Sequence, residues 1–170
     1  MSADNQQERL DADWIVGFVD GEGSFHVAIN KIPKMTLGFQ VLPEFRVVQH
    51  ERDEKILQKL KGYFGFGEIT VNRKDRHGIR KEFRVRGLEN LNRLLKFFQD
   101  NPLKTSKYRN FKIFAEIIEA MNNKEHLTKE GLRKIAELAS MMNRQQDRVS
   151  KILRDYTPDA RKSEDIVRPL

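Results

Sequence analysis

Apolar positions change period several times along the chain, and each change marks an element. Residues 1–10 show no apolar rhythm and read as a loose polar arm. Asp11 can cap a helix that starts near Ala12. Trp14, Ile15, Val16, Phe18 and Val19 leave that helix almost no polar side, which predicts burial all round. Gly21 and Gly23 suit its C-terminal stop. Alternation follows, with Phe25, Val27 and Ile29 facing one way and Ser24, His26, Ala28 and Asn30 the other, the mark of a strand with one buried face. Residues 32–36, with Pro33, read as a turn. A second strand runs from about Leu37 to Gln49, its apolar side formed by Phe39, Val41, Phe45 and Val47. Pro43 lies on that side and is expected to break the pairing with a bulge or bend.

Helical spacing through Ile56, Leu57, Leu60 and Phe64 predicts a helix from Arg52 to Phe64, ended by Gly65 and Gly67. Residues 68–74 alternate again, with Ile69 and Val71 inward and Thr70, Asn72 and Lys74 outward. Arg76, His77 and Gly78 make a turn. A strand over residues 81–86 puts Phe83 and Val85 inward. Three more helices are predicted, at 88–99, at 106–121 and, capped by Thr128, to about Met142. Residues 143–170 form a charged tail. One domain over 11–142 results, of order αββαββα: an α+β fold with an antiparallel sheet and helices on one face.

The other sheet face has no predicted cover. It carries Ser24, His26, Asn30, Gln40, Glu44, Arg46, Thr70, Asn72, Lys74, Glu82, Arg84 and Arg86. Lys31, Lys34, Arg76 and Lys81 complete this candidate DNA-binding surface. Such a sheet can lie in a major groove, where Arg reads guanine and Gln or Asn reads adenine. A plain solvated sheet face would look the same. Charge adds to the first reading. The net charge is +7, and residues 30–86 hold 14 Lys and Arg against 7 Asp and Glu, while the rest of the chain is balanced at 18 against 18. A local cationic excess suits a phosphate-facing surface, although membranes and solubility also use one.

Composition narrows the classes further. Without cysteine the sequence has no disulfide, thiolate metal site or thiol nucleophile. No apolar run approaches the ~20 residues of a membrane span, and residues 1–9 carry no secretory apolar stretch. An intracellular protein, cytoplasmic or organellar, with no membrane partner is expected.

The stretch Trp14-Ile15-Val16-Gly17-Phe18-Val19-Asp20-Gly21-Glu22-Gly23-Ser24-Phe25 concentrates the candidate chemistry. A nearly all-apolar helix ends in two carboxylates among glycines. Gly17 and Gly21, four apart, share a face on which a second helix can come close. Glu22 then lies at the negative end of the helix dipole, beside carbonyls without intrahelical partners, a place that attracts a cation. Two copies packed together would converge two such carboxylates, and an oxygen set of that kind suits Mg²⁺. The same residues could instead be a buried helix ending in a glycine-rich turn.

The stretch resembles the LAGLIDADG motif, in the variant GFVDGEG, and the αββαββα order resembles the family's domain from about Asp13 to Met142. The resemblance implies a homing endonuclease. It makes Glu22 a catalytic residue and metal ligand, with the Gly21 carbonyl as a further ligand, and leaves Asp20 a structural role. The family more often has Asp at the position of Glu22. It also implies that Gln49 orients active-site water and that Lys107 stands near the scissile phosphate, with Lys104 the second choice. Some members have a basic residue one turn after the glutamine; here Asp53 stands there, beside Arg52. His50, His77 and His126 show no metal-ligand spacing.

One motif supplies half of an active-site pair, so the resemblance implies a homodimer whose interface uses Trp14, Gly17, Phe18 and Gly21, acting on a long, nearly palindromic DNA duplex. The family's enzymes cut both strands across the minor groove with a divalent metal, and their biology is intron or intein mobility. No intein splicing signature is visible here. The competing readings are an RNA maturase or non-cleaving DNA-binding protein of the same fold, and an unrelated basic α+β protein.

Overall fold

The computed structural model describes residues 10–142 together with Arg154. The expected arm and tail fall outside the described residues, apart from Leu10 and Arg154. Leu10 packs against the core and belongs with the domain. In chain order the elements are α1 (Ala12–Glu22), β1 (Gly23–Lys31), β2 (Phe39–His50), α2 (Glu54–Phe64), β3 (Glu68–Asp75), β4 (Gly78–Val85), α3 (Leu88–Asp100), α4 (Lys107–Asn122) and α5 (Lys129–Met142). The expected α+β order is present. Single-turn 3₁₀ segments at Glu51–Asp53 and Glu125–Leu127 precede α2 and α5.

The caps follow from side-chain chemistry. Asp11 accepts from Trp14 N at 2.7 Å and starts α1. The Thr128 hydroxyl accepts from Gly131 N at 3.0 Å and starts α5. At the far end of α1, Gly23 passes directly into β1. A β-carbon there would lie 2.6 Å from Val19 Cγ1 and 2.9 Å from Val19 O, so only glycine lets the strand leave the helix so closely.

The four strands run antiparallel in the order β1-β2-β4-β3. Two hairpins are thus joined through their second strands. All the buried apolar strand residues, among them Phe25, Val27, Phe45, Val47, Phe83 and Val85, lie on one face. The helices pack there around a cluster of phenylalanines. Phe25 lies 5.2 Å from Phe45, 5.8 Å from Phe98 and 5.3 Å from Phe114, tying β1 and β2 to α3 and α4.

Three expectations about the fold need correction. Pro43 makes no bulge: β1 and β2 pair without a shift from Gly23↔Val47 to Lys31↔Phe39, with Val27 opposite Pro43. The missing N–H of Pro43 costs nothing on the other side, because β4 pairs with β2 only from Phe45 onward. The irregularity lies instead in β3, between Val71 and Arg73. Val71, ahead of it, pairs with Lys81 and so faces the helix side as expected, yet it is 59% exposed, since this half of the edge strand runs beyond the core. Finally, α1 is not buried all round. Ile15, Val16 and Val19 are buried, but Trp14, Gly17 and Gly21 are exposed and Phe18 is half-buried.

Candidate functional site

The exposed residues of α1 form one stripe that runs to Glu22. Trp14 is 41% exposed and stacks on Phe18, one turn on, with ring centroids 4.8 Å apart. An added β-carbon at Gly17 or Gly21 would meet no atom within 4 Å. Neither glycine is therefore needed for packing inside the protomer. Glu22 is exposed on the last turn, at the carbonyl-bearing end of the helix.

Asp20 points elsewhere. Its carboxylate accepts from Lys104 N (2.7 Å), Thr105 N (3.2 Å) and Thr105 Oγ1 (2.7 Å). Burial alone would raise its pKa, but these bonds and the charge of Lys107 outweigh that and lower it. Asp20 thus clamps the loop ahead of α4 to the end of α1. The loop delivers Lys107, half-buried on the first turn of α4, whose Nζ donates to Val19 O at 2.8 Å. Burial lowers the pKa of Lys107, partly offset by the negative charges of Asp20 and Glu22. A cation at a helix C-terminus is favourably placed. Lys104 reaches the same region through its backbone, with an exposed side chain.

Gln49 is half-buried near the end of β2. The register that sets Gly23 opposite Val47 carries Gln49 two residues farther, alongside the end of α1. Glu22 and Lys107 therefore meet at one end of the motif helix, contributed by α1 and α4, and the β2 strand carries Gln49 toward that end. Arg52 and Asp53 bond to each other at 3.3 Å, both exposed. His50, which shows no metal-ligand spacing in the sequence, is engaged at both ring nitrogens. Nδ1 accepts from Arg52 N at 3.2 Å and Nε2 lies 3.1 Å from His77 O, which makes the ring a brace between the 3₁₀ turn and the β3–β4 turn.

An all-oxygen donor set fits a hard divalent cation such as Mg²⁺. Glu22 and the Gly21 carbonyl are the residues of this chain that could hold one. Among the described residues no three His, Asp or Glu side chains gather as a complete metal cluster.

The open sheet face carries most of the expected groups. Ser24, His26 and Asn30 on β1 pair across to Arg46, Glu44 and Gln40 on β2. Arg46 faces Arg84, and Thr70 faces Glu82. Lys31 is exposed at the end of β1, and Lys34 and Arg76 are exposed in the two hairpin turns. Three placements differ from expectation. The β3 irregularity pairs Lys74 with Ile79, on the helix side, and brings Arg73 opposite Arg80 on the open face. Lys81 also faces the helix side, where it pairs with Glu54 of α2. Glu44 and Glu82 are the buried charged groups among the described residues, not exposed contacts. Arg73 was missed because strict alternation carries no sign of a bulge, and Arg80 because the strand was expected to begin at Lys81, whereas β4 begins at Gly78.

Comparison with known proteins agrees with this fold. The family model described as LAGLIDADG endonuclease matches residues 15–118. A probable intron-encoded endonuclease of Neurospora crassa is 33% identical over 128 residues, covering 75% of this chain and 24% of the relative. The chain thus spans about a quarter of that curated relative's length. The crystal structure of the homing endonuclease I-TnaI superposes with a TM-score of 0.80 at 45% identity, covering 87% of this chain and 99% of that one. I-SmaMI, bound to an uncleaved DNA target in the presence of calcium ions, superposes at 0.80 with 32% identity, covering 88% of this chain and 51% of that one. Among the described residues no helix is long and apolar enough to cross a membrane.

Proposed function

This chain belongs to the LAGLIDADG endonuclease family, and from that premise we propose that it is a homing endonuclease, cutting both strands of a long, pseudo-palindromic DNA target as a homodimer with a divalent cation, Mg²⁺. The observation that carries the reading is the open stripe Trp14, Gly17, Phe18 and Gly21 leading to an exposed Glu22. A twofold pairing of α1 with its copy would cover the stripe and use the same surface on both protomers. It would also bring the two Glu22 carboxylates together at the dimer axis. The unit matches nearly all of one solved relative and half of another, as expected where one unit dimerises in some members and two are joined in others.

In this reading Glu22 and the Gly21 carbonyl would hold the cation, with the partner's groups and DNA phosphate supplying further oxygens. The bound cation would activate the attacking water and offset charge on the phosphate. Gln49 orients water at the end of α1. Lys107 keeps its ammonium beside the scissile phosphate and stabilises the charge that develops there. The open sheet face, with Ser24, His26, Asn30, Gln40, Arg46 and Arg84, follows the major groove of one half-site, while Lys31, Lys34 and Arg76 reach phosphates.

The test is incubation of the full chain with a duplex library and Mg²⁺. Double-strand breaks at an enriched site are expected, lost in Glu22→Gln while binding persists. Binding without any cleavage by the unaltered protein would replace the nuclease by a maturase or a non-cleaving DNA-binding protein.

A further inference from the structure

Resting on the reading of the open face as the DNA-binding surface, we propose that Glu44 and Glu82 are positioning residues, which hold Arg46, Arg84 and Arg86 as a fixed set of guanidinium forks for reading adjacent guanines in each half-site. Both acids lie in the middle of that face, yet Glu44 is 7% and Glu82 3% exposed. A surface built only for phosphate attraction gains nothing from two buried carboxylates, because they cancel the charge that releases counterions.

The contacts explain their place. Glu44 binds Arg86 through Nε (2.8 Å) and the terminal nitrogen (2.7 Å), and Arg46 Nε at 3.3 Å. Glu82 accepts from Asn72 Nδ2 (2.8 Å) and Thr70 Oγ1 (3.2 Å), lies 3.2 Å from a terminal nitrogen of Arg84 and 4.0 Å from one of Arg46. Acid and base thus alternate in one chain: Arg86, Glu44, Arg46, Glu82, Arg84.

Arg46 and Arg84 are direct cross-strand partners, a like-charge pairing that destabilises a sheet on its own. The two acids neutralise it and fix each guanidinium by part of its edge. Side-chain exposures of 31% for Arg46, 23% for Arg84 and 53% for Arg86 leave part of each side chain open to solvent, although Arg84 Nε is buried. A planar fork held in one orientation matches O6 and N7 of guanine. The acids themselves are poor candidates for accepting from cytosine, since they are buried and their oxygens are already engaged.

Equilibrium selection of bound duplexes from a randomised half-site, without cleavage, tests this. The unaltered chain should enrich guanine at two or three neighbouring positions. Glu82→Gln keeps the shape, its oxygen accepting from Asn72 and its NH2 donating to the Thr70 hydroxyl, and should lose about tenfold discrimination at those positions alone. Its binding to unrelated duplex should become tighter and more salt-dependent. Arg46→Lys should lose the same preference, because an ammonium cannot make the fork. Glu44→Gln provides the same test on the other acid if Glu82→Gln does not fold. Selection of a sharp site without neighbouring guanines, or an unchanged profile in folded glutamine variants, overturns the positioning role and leaves the endonuclease reading standing. Failure of the unaltered chain to bind any duplex overturns that reading first.

Discussion

Lys107 Nζ and the N–H of Gly23 share one acceptor, the carbonyl oxygen of Val19, with the lysine at 2.8 Å. The bond joins α4 to the end of the motif helix across most of the domain's sequence. It also keeps a partly desolvated ammonium within the field of Glu22.

Lys107→Met is expected to lower the single-turnover cleavage rate by about 10²–10³-fold, the usual range for losing one preorganised charge-stabilising donor. DNA affinity should change little. Because burial lowers its pKa, Lys107 loses its proton below the ordinary lysine range. The alkaline limb of the rate profile should therefore fall early, and move up in Lys107→Arg. Lys104→Met should have a smaller effect, as only its backbone is tied into the site. Equal losses from both substitutions would remove the special role of Lys107.

Asp20→Ala should destabilise the domain by about 1–3 kcal/mol, because two backbone donors and a hydroxyl lose a charged acceptor. The loss should appear in urea unfolding even without metal or DNA. An Asp20→Ala protein of unchanged stability but without activity would instead put Asp20 in the chemistry.

Asp20 and Lys107 mark what a single sequence does and does not disclose. The motif is contiguous, so Asp20, Gly21, Glu22 and the helix cap at Asp11 could be read directly. The bond between Lys107 and Val19 closes over a long loop, and no local pattern encodes it. Alternation placed Arg46 and Arg84 correctly, but it failed in β3, where one extra residue turned Lys74 away and brought Arg73 in. The pattern also marked Glu44 and Glu82 only as polar and outward; their burial depends on arginines from neighbouring strands. In α1 the all-apolar sides suggested complete burial, yet Trp14, Gly17 and Gly21 stay exposed in the protomer; the proposed subunit interface would ask for the same side chains as a core.

His126 provides a pH test away from the site. It lies in the Glu125–Leu127 turn, with Nδ1 buried and without a hydrogen-bond partner among the described residues. Burial lowers its pKa from 6.5. The unfolded chain therefore takes up a proton at a higher pH than the folded one. By linkage, the contribution of neutral His126 is complete above the unfolded value, falls as pH drops through it, and levels off below the folded value. Going from about pH 8 to about pH 5, the unaltered protein should lose more thermal stability than His126→Gln. Parallel melting curves for the two proteins across that range would contradict the burial argument.

Gly17 and Gly23 separate the demands of the protomer from those of a dimer. Gly23→Ala forces a β-carbon against Val19 Cγ1 and Val19 O, and should cost about 1–3 kcal/mol of protomer stability through overpacking. Gly17→Ala meets nothing within 4 Å. By helix propensity it should favour the isolated helix by about 1 kcal/mol. A helix that gains from alanine but keeps glycine has a reason outside its own fold, and close approach of a second helix supplies one. Gly17→Leu should therefore leave the protomer folded while raising the dimer dissociation constant at least tenfold, followed by sedimentation equilibrium. Cleavage should fall with it, since each protomer brings only one Glu22. If Gly17→Leu stays dimeric and active, the exposed stripe on α1 is not the contact, and the two carboxylates must meet by another route or not at all.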